Sequence, residues 1–155
     1  MTDWNLPWSA ACMCGQVKMR ITQAPVMAMA CHCRGCQKLT SGAYSLTLMI
    51  PAAGFEVLEG EPELGGLHRA ESPHHFCPHC KNWLFTTNIA GGQFVNFRPT
   101  MLEDASWVLP FVESNIQEKL PGAASGAKYS FEGFPPPDRY GPLMEEYARE
   151  GALPA

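Results

Sequence analysis

Seven cysteines stand in three short groups: Cys12-Met13-Cys14-Gly15, Cys31-His32-Cys33-Arg34-Gly35-Cys36 and Cys77-Pro78-His79-Cys80. Sulfurs one or two residues apart at a tight turn can grip one ion together. Zinc takes four thiolate or imidazole ligands in a tetrahedron, each sulfur at about 2.3 Å. The natural partition joins Cys12 and Cys14 to Cys77 and Cys80, a staple across the long stretch between them that should stabilise the fold strongly. Cys31, Cys33 and Cys36 then remain, able to hold a second zinc from one side and leave its fourth position open; open zinc sites do chemistry. Spacing also allows Cys31 and Cys33 to complete the first site while Cys36 stands with the last pair. A third reading is a metal-free, redox-sensitive thiol trio.

Four histidines, His32, His74, His75 and His79, sit beside these cysteines, and imidazole suits zinc as well as thiolate does. His32 alternates with two ligands and should point away from the metal. In the knuckle around His79, backbone N–H groups are expected to face the sulfurs. His74 and His75 are the candidates to enter an open coordination position.

The elements that must position these groups are mostly β. Gln16 to Thr22 alternates, with Val17, Met19 and Ile21 on one face of a strand. Tyr44, Leu46, Leu48 and Ile50 share the face of a second, and Phe55 to Glu59 makes a third between Gly54 and Gly60. Shorter strands are expected over Met27–Ala30, Leu67–Glu71, Trp83–Thr87 and Phe94–Arg98. Helix is scarce: a short one over Arg34–Leu39 and another over Leu143–Arg149, with Leu143, Met144 and Tyr147 on one face. Phe134 to Asp138 reads as a stiff extended strap into that helix, because proline fixes φ and lacks the N–H of a ladder.

Composition bounds the class. A chain of 155 residues, 46% hydrophobic, can bury one core but not two ordinary ones, so residues 1–155 are expected to form a single domain. Fourteen Gly and fourteen Pro without a period fit many short strands and turns. A net charge of -4 without a Lys/Arg run offers no footprint for nucleic acid or an anionic membrane. The most apolar stretch, Ala43 to Phe55, falls short of the roughly 20 residues that span a bilayer. Met1 to Trp8 has no basic and apolar leader, which predicts a cytoplasmic chain, where seven cysteines are not expected to form a disulfide framework. The sequence leaves room for a homo-oligomer.

The pattern C-x-C-G, then C-H-C-x-x-C-x-K-x-x-S-G, then F-C-x-x-C resembles the glutathione-dependent formaldehyde-activating enzyme family, which includes centromere protein V. Cys12, Cys14, Gly15, Cys31, His32, Cys33, Cys36, Lys38, Ser41, Gly42, Phe76, Cys77 and Cys80 fall in step, over about Ala11 to Phe85. The resemblance implies a mainly β fold, a β-tent of small antiparallel sheets. It also implies a structural zinc on Cys12, Cys14, Cys77 and Cys80 and a second zinc on Cys31, Cys33 and Cys36. One position departs: the family has Gly after its last cysteine and this chain has Lys81. A left-handed turn there costs a non-Gly residue about 1 kcal/mol, so either the turn differs or Asn82 takes the left-handed place.

The resemblance implies a small thiol, glutathione, and a small aldehyde such as formaldehyde as partners, joined to S-hydroxymethylglutathione in carbon-sulfur lyase chemistry. The triad, Cys31, Cys33 and Cys36, would carry that chemistry as metal ligands and not as nucleophiles, since coordination lowers a thiol's pKa below its free value near 8.5. Arg34, Lys38 and Arg69 are candidates to pair with glutathione's carboxylates. The rival reading is a non-catalytic thiol carrier or a zinc-stabilised interaction module, because thiol adds to formaldehyde without a catalyst and no acid/base pair stands out.

Overall fold

Strand β2 (Lys18–Ile21) follows directly from its alternation: Met19 and Ile21 are buried while Lys18 and Arg20 face water. It is shorter than the alternating stretch, since Gln16 and Val17 belong to the turn that leaves β1 (Trp8–Ala11). A computed structural model describes residues 3–69 and 71–155. The remaining elements, in chain order, are β3 (Met27–Cys31), α1 (Arg34–Thr40), β4 (Ser45–Pro51), β5 (Phe55–Glu59), β6 (Glu63–Arg69), β7 (Ser72–Phe76), β8 (Trp83–Ile89), β9 (Phe94–Phe97), β10 (Val112–Ser114), β11 (Tyr129–Ser130) and α2 (Pro137–Glu150).

The strands form two sheets. A small antiparallel one runs β1-β2-β5, and a larger one runs β11-β10-β3-β4-β9-β8-β7-β6. The larger sheet is antiparallel except at β10, which runs parallel to both β3 and β11. The architecture is mainly β with two helices, as composition and resemblance implied. The strand expected over Leu67–Glu71 falls partly on residue 70, outside the described residues; β6 ends before it and β7 begins after it.

β4 lies between β3 and β9, so both its edges are paired, and residues on both its faces are buried. Leu48 and Ile50 pack one side, while Ser45, Thr47 and Met49 are buried on the other. The face opposite the apolar one read from the sequence is thus buried as well, and it carries the polar Ser45 and Thr47. The core gathers Val17, Met19, Ile21, Met27, Leu48, Ile50, Leu84, Phe97 and Val112 between the sheets, closed by Leu143 and Tyr147 of α2. Pro137 opens that helix without needing an intrahelical N–H partner. Tyr147 packs against Phe111 at 5.6 Å and against Trp4 at 5.9 Å between ring centroids, and Trp4 continues to Trp8 and Trp107. This aromatic chain, absent from the sequence reading, ties the first residues to the last helix. Among the described residues no helix is long and apolar enough to cross a membrane.

Candidate functional site

Cys12 and Cys14 sit on the turn leaving β1, where Cys12 N–H donates to Val17 O at 3.1 Å and Gly15, at φ 78°, donates back to Cys12 O at 3.0 Å. The φ of Gly15 is one that a side chain resists. Cys77 and Cys80 sit on the matching turn after β7, closed by Lys81 N–H to Cys77 O at 3.0 Å. Asn82 ties the turns together: its Oδ1 accepts from Met13 N–H at 2.7 Å. Lys81 itself, and not Asn82, takes the left-handed conformation at φ 62°. The turn of the pattern is kept, with a lysine in the glycine's place and its ammonium paired with Glu63 at 2.5 Å.

The four sulfurs lie within 4.8 Å of one another, with Cys12 to Cys14 at 3.5 Å and Cys14 to Cys77 at 3.7 Å. A tetrahedron with arms of about 2.3 Å has edges of about 3.8 Å, so the donor set fits a tetrahedral thiophilic ion such as zinc. Burial opposes the charged form of Cys80. N–H groups of Asn82 and Cys14 and the thiols of Cys77 and Cys14 nevertheless draw it down to about 6, while Cys14, despite the N–H of Gln16, is pushed up to about 11 by burial and by the thiols of Cys12, Cys77 and Cys80.

Cys31, Cys33 and Cys36 form the second cluster, also with sulfurs within 4.8 Å. Cys31 ends β3, with Ser45 of β4 on one side and Ser114 of β10 on the other. Cys33 caps α1, its Sγ accepting from Cys36 N–H at 3.3 Å. The hydrogen bond from Cys36 holds Cys31 down to about 5, against burial and with help from Cys33 and Ser114, while Cys36 is pushed far up by the same contact. Asn115 Nδ2 donates to Cys31 Sγ at 3.3 Å. Asn115 adopts φ 56°, a conformation asparagine tolerates better than most residues.

No His, Asp or Glu joins either cluster among the described residues. His74 Nδ1 lies 2.7 Å from Thr86 Oγ1, and His75 Nε2 lies 2.9 Å from Thr87 Oγ1. Both histidines are therefore held in the sheet, and neither candidate for the open position joins the triad. His32 does turn from the sulfurs: fully buried, it is hydrogen-bonded to Glu113, Nε2 to Oε2 at 2.8 Å. Glu113 also accepts from Ser125 at 2.6 Å and Ser130 at 2.8 Å. Burial pushes its carboxyl up, but these donors and His32 win, holding it down at about 2.

Around α1, Arg34, Gln37, Lys38, Ser41, Gly42 and Leu120 line an open depression of about 380 Å³. Arg34 donates to Gln37 Oε1 and Lys38 is exposed; the side chain of Arg69 lies outside the described residues. Glu113, Asn115 and the buried Arg98 escaped the sequence reading. The one signal for Glu113 was a lone carboxylate in the apolar run Leu109-Pro110-Phe111-Val112.

The family model for "Glutathione-dependent formaldehyde-activating enzyme" matches residues 7–117, which takes in both clusters and Arg98, Glu113 and Asn115. No curated protein matches the chain. Among solved structures, the crystal structure of a Rhodobacter sphaeroides protein superposes with a TM-score of 0.54 at 17% identity, covering 63% of this chain and 90% of that one. At that identity the likeness shows the fold.

Proposed function

The chain belongs to the glutathione-dependent formaldehyde-activating enzyme family, and on that premise we propose that it joins glutathione to formaldehyde, giving S-hydroxymethylglutathione. The observation that carries the reading is the triad: three half-buried thiols with sulfurs in mutual reach and no fourth protein ligand among the described residues. The four-cysteine cluster is the structural site and the triad the open one. Cys31, Cys33 and Cys36 would hold a zinc ion, whose positive charge would keep an incoming thiol ionised at neutral pH.

The chain's own residues prepare that face. Asn115 holds Cys31, Cys33 shapes the start of α1, and Gln37 Nε2 fixes the loop between them by donating to His32 O at 2.7 Å. The depression beside Arg34 and Lys38 offers positive charge to a glutathione carboxylate. In the reaction the sulfur lone pair forms a bond to the carbonyl carbon. The carbonyl π pair moves to oxygen, which takes up a proton equivalent to the one the thiol released. Holding both reactants at one face serves as an entropy trap.

Adduct formation from glutathione and formaldehyde, followed by NMR with the zinc-loaded protein, tests this. A rate above the spontaneous one that Cys33→Ser abolishes while the fold persists supports the enzyme. Calorimetric binding of glutathione with no rate increase instead supports a thiol carrier, the reading favoured because the imidazole–carboxylate pair on the triad's loop, His32 and Glu113, is buried away from the sulfurs.

A further inference from the structure

A second cleft, of about 350 Å³, is lined by residues that follow each cysteine cluster in the chain. One wall is Leu39 and Thr40 of α1, the helix that carries Cys36, with Tyr44 and Leu46 after it; the other is Lys81 and Asn82, which follow Cys80. Arg98 and Trp83 also line it. Arg98 is 7% exposed, and a guanidinium so deeply buried ordinarily has a carboxylate partner. Here, among the described residues, no Asp or Glu pairs with it.

Its hydrogen bonds are all to neutral acceptors and leave it short. Nη1 donates to Leu46 O at 3.0 Å and Thr47 Oγ1 at 2.6 Å, Nη2 reaches Thr86 Oγ1 only at 3.5 Å, and the buried Nε has no partner. The group is nonetheless fixed, its Cζ 3.6 Å above the centre of the Trp83 ring. Thr47 stands two residues from Ser45, the partner of Cys31 across the β3–β4 ladder. Side chains two apart share a face, so the guanidinium and the triad lie on one side of the sheet.

We propose that this cleft is a carboxylate subsite, in which Arg98 on its Trp83 platform receives the carboxylate of a small acidic thiol whose sulfur occupies the open face of the triad. The proposal rests on the thiol-binding reading above and narrows it to thiols that carry an acid. A planar guanidinium with spare N–H groups matches a carboxylate. Low surrounding polarity strengthens that pair far beyond what exposed lysines offer.

The test is calorimetric titration of the full-length, zinc-loaded protein with 3-mercaptopropionate, 2-mercaptoethanol, cysteamine and propionate. Mercaptopropionate should bind about tenfold tighter than mercaptoethanol, the scale of one hydrogen bond to a charged group, and cysteamine weakest of the three thiols. Arg98→Gln should erase the preference, whereas the double variant Arg34→Ala/Lys38→Ala should keep it. If Arg98→Gln fails to fold, the double variant decides alone: a preference retained there supports the cleft, and one lost there overturns it. Equal affinity for all three thiols overturns the subsite while leaving thiol binding intact. Propionate binding without any thiol binding overturns the thiol reading instead, and the subsite with it as a place for an acidic thiol.

Discussion

His32 Nε2 and Glu113 Oε2 stand 2.8 Å apart inside the protein, although 81 positions separate them in the chain. The pair links the loop of the triad to β10, and Ser125, Ser130 and Lys119 converge on the same carboxylate. Removing the carboxylate leaves an imidazole and two hydroxyls without their acceptor. Glu113→Ala is expected to cost about 3 kcal/mol and Glu113→Gln less, measured by urea unfolding.

The same carboxylate predicts an acid limb of stability. Its folded pKa, about 2, lies below the ordinary value of 4.5, so the unfolded chain binds its proton first as pH falls. The stabilisation is complete above about pH 5 and is lost progressively as pH drops toward 2. Comparing unfolding free energies at pH 7 and pH 3 should show a loss of about 2 kcal/mol that is absent in Glu113→Gln.

Asn115 donates to Cys31 at 3.3 Å, and such outer contacts tune metal affinity by about 10- to 100-fold. Asn115→Gly keeps the left-handed backbone and deletes the donor. Competition with a chelator should show zinc leaving the triad more readily, with the four-cysteine cluster unchanged. Equal loss from both clusters would contradict the assignment.

The two clusters should also differ in what they hold together. Cys77→Ala is expected to unfold or precipitate the protein, whereas Cys36→Ala should remain folded and carry one zinc fewer, read by metal analysis and circular dichroism. A chelator that strips both sites should reproduce the effect of Cys77→Ala.

Lys81 occupies the left-handed region at φ 62°, and its ion pair with Glu63 is exposed, so it contributes little. Lys81→Gly should therefore raise stability by about 0.5–1 kcal/mol. A thermal midpoint lower than that of the parent would show that the ion pair outweighs the backbone strain.

What could be read in the sequence was whatever local chemistry dictates. The alternation around Met19 and Ile21 marks β2, and the bounds expected for the helix at Arg34 and the strands at Phe55 and Phe94 lie within a residue of those found. The cysteine spacing groups the sulfurs because each pair is a local turn. What stayed hidden depends on distant partners. β1, β10 and β11 are two to four residues long and exist only because neighbours pair with them. Glu113 and Arg98 drew no reading of their own, since nothing local reveals that serines and a histidine, or a tryptophan face, will enclose them. His74 and His75 stand next to a cysteine turn, yet the register of β7 against β8 gives them to threonines.

The turn bearing Cys12 and Cys14 leaves the three-stranded sheet, and the turn bearing Cys77 and Cys80 leaves the eight-stranded one. A metal ion on these four sulfurs would rivet two separate ladders, each with its own backbone hydrogen bonds. Starved of metal, the protein should part along that seam before either ladder frays, exposing Val17, Met19 and Ile21 while most strands persist. With zinc on these four sulfurs the working lifetime would follow metal supply, and stickiness of freshly opened apolar surface would come first, ahead of the unfolding or precipitation expected of Cys77→Ala.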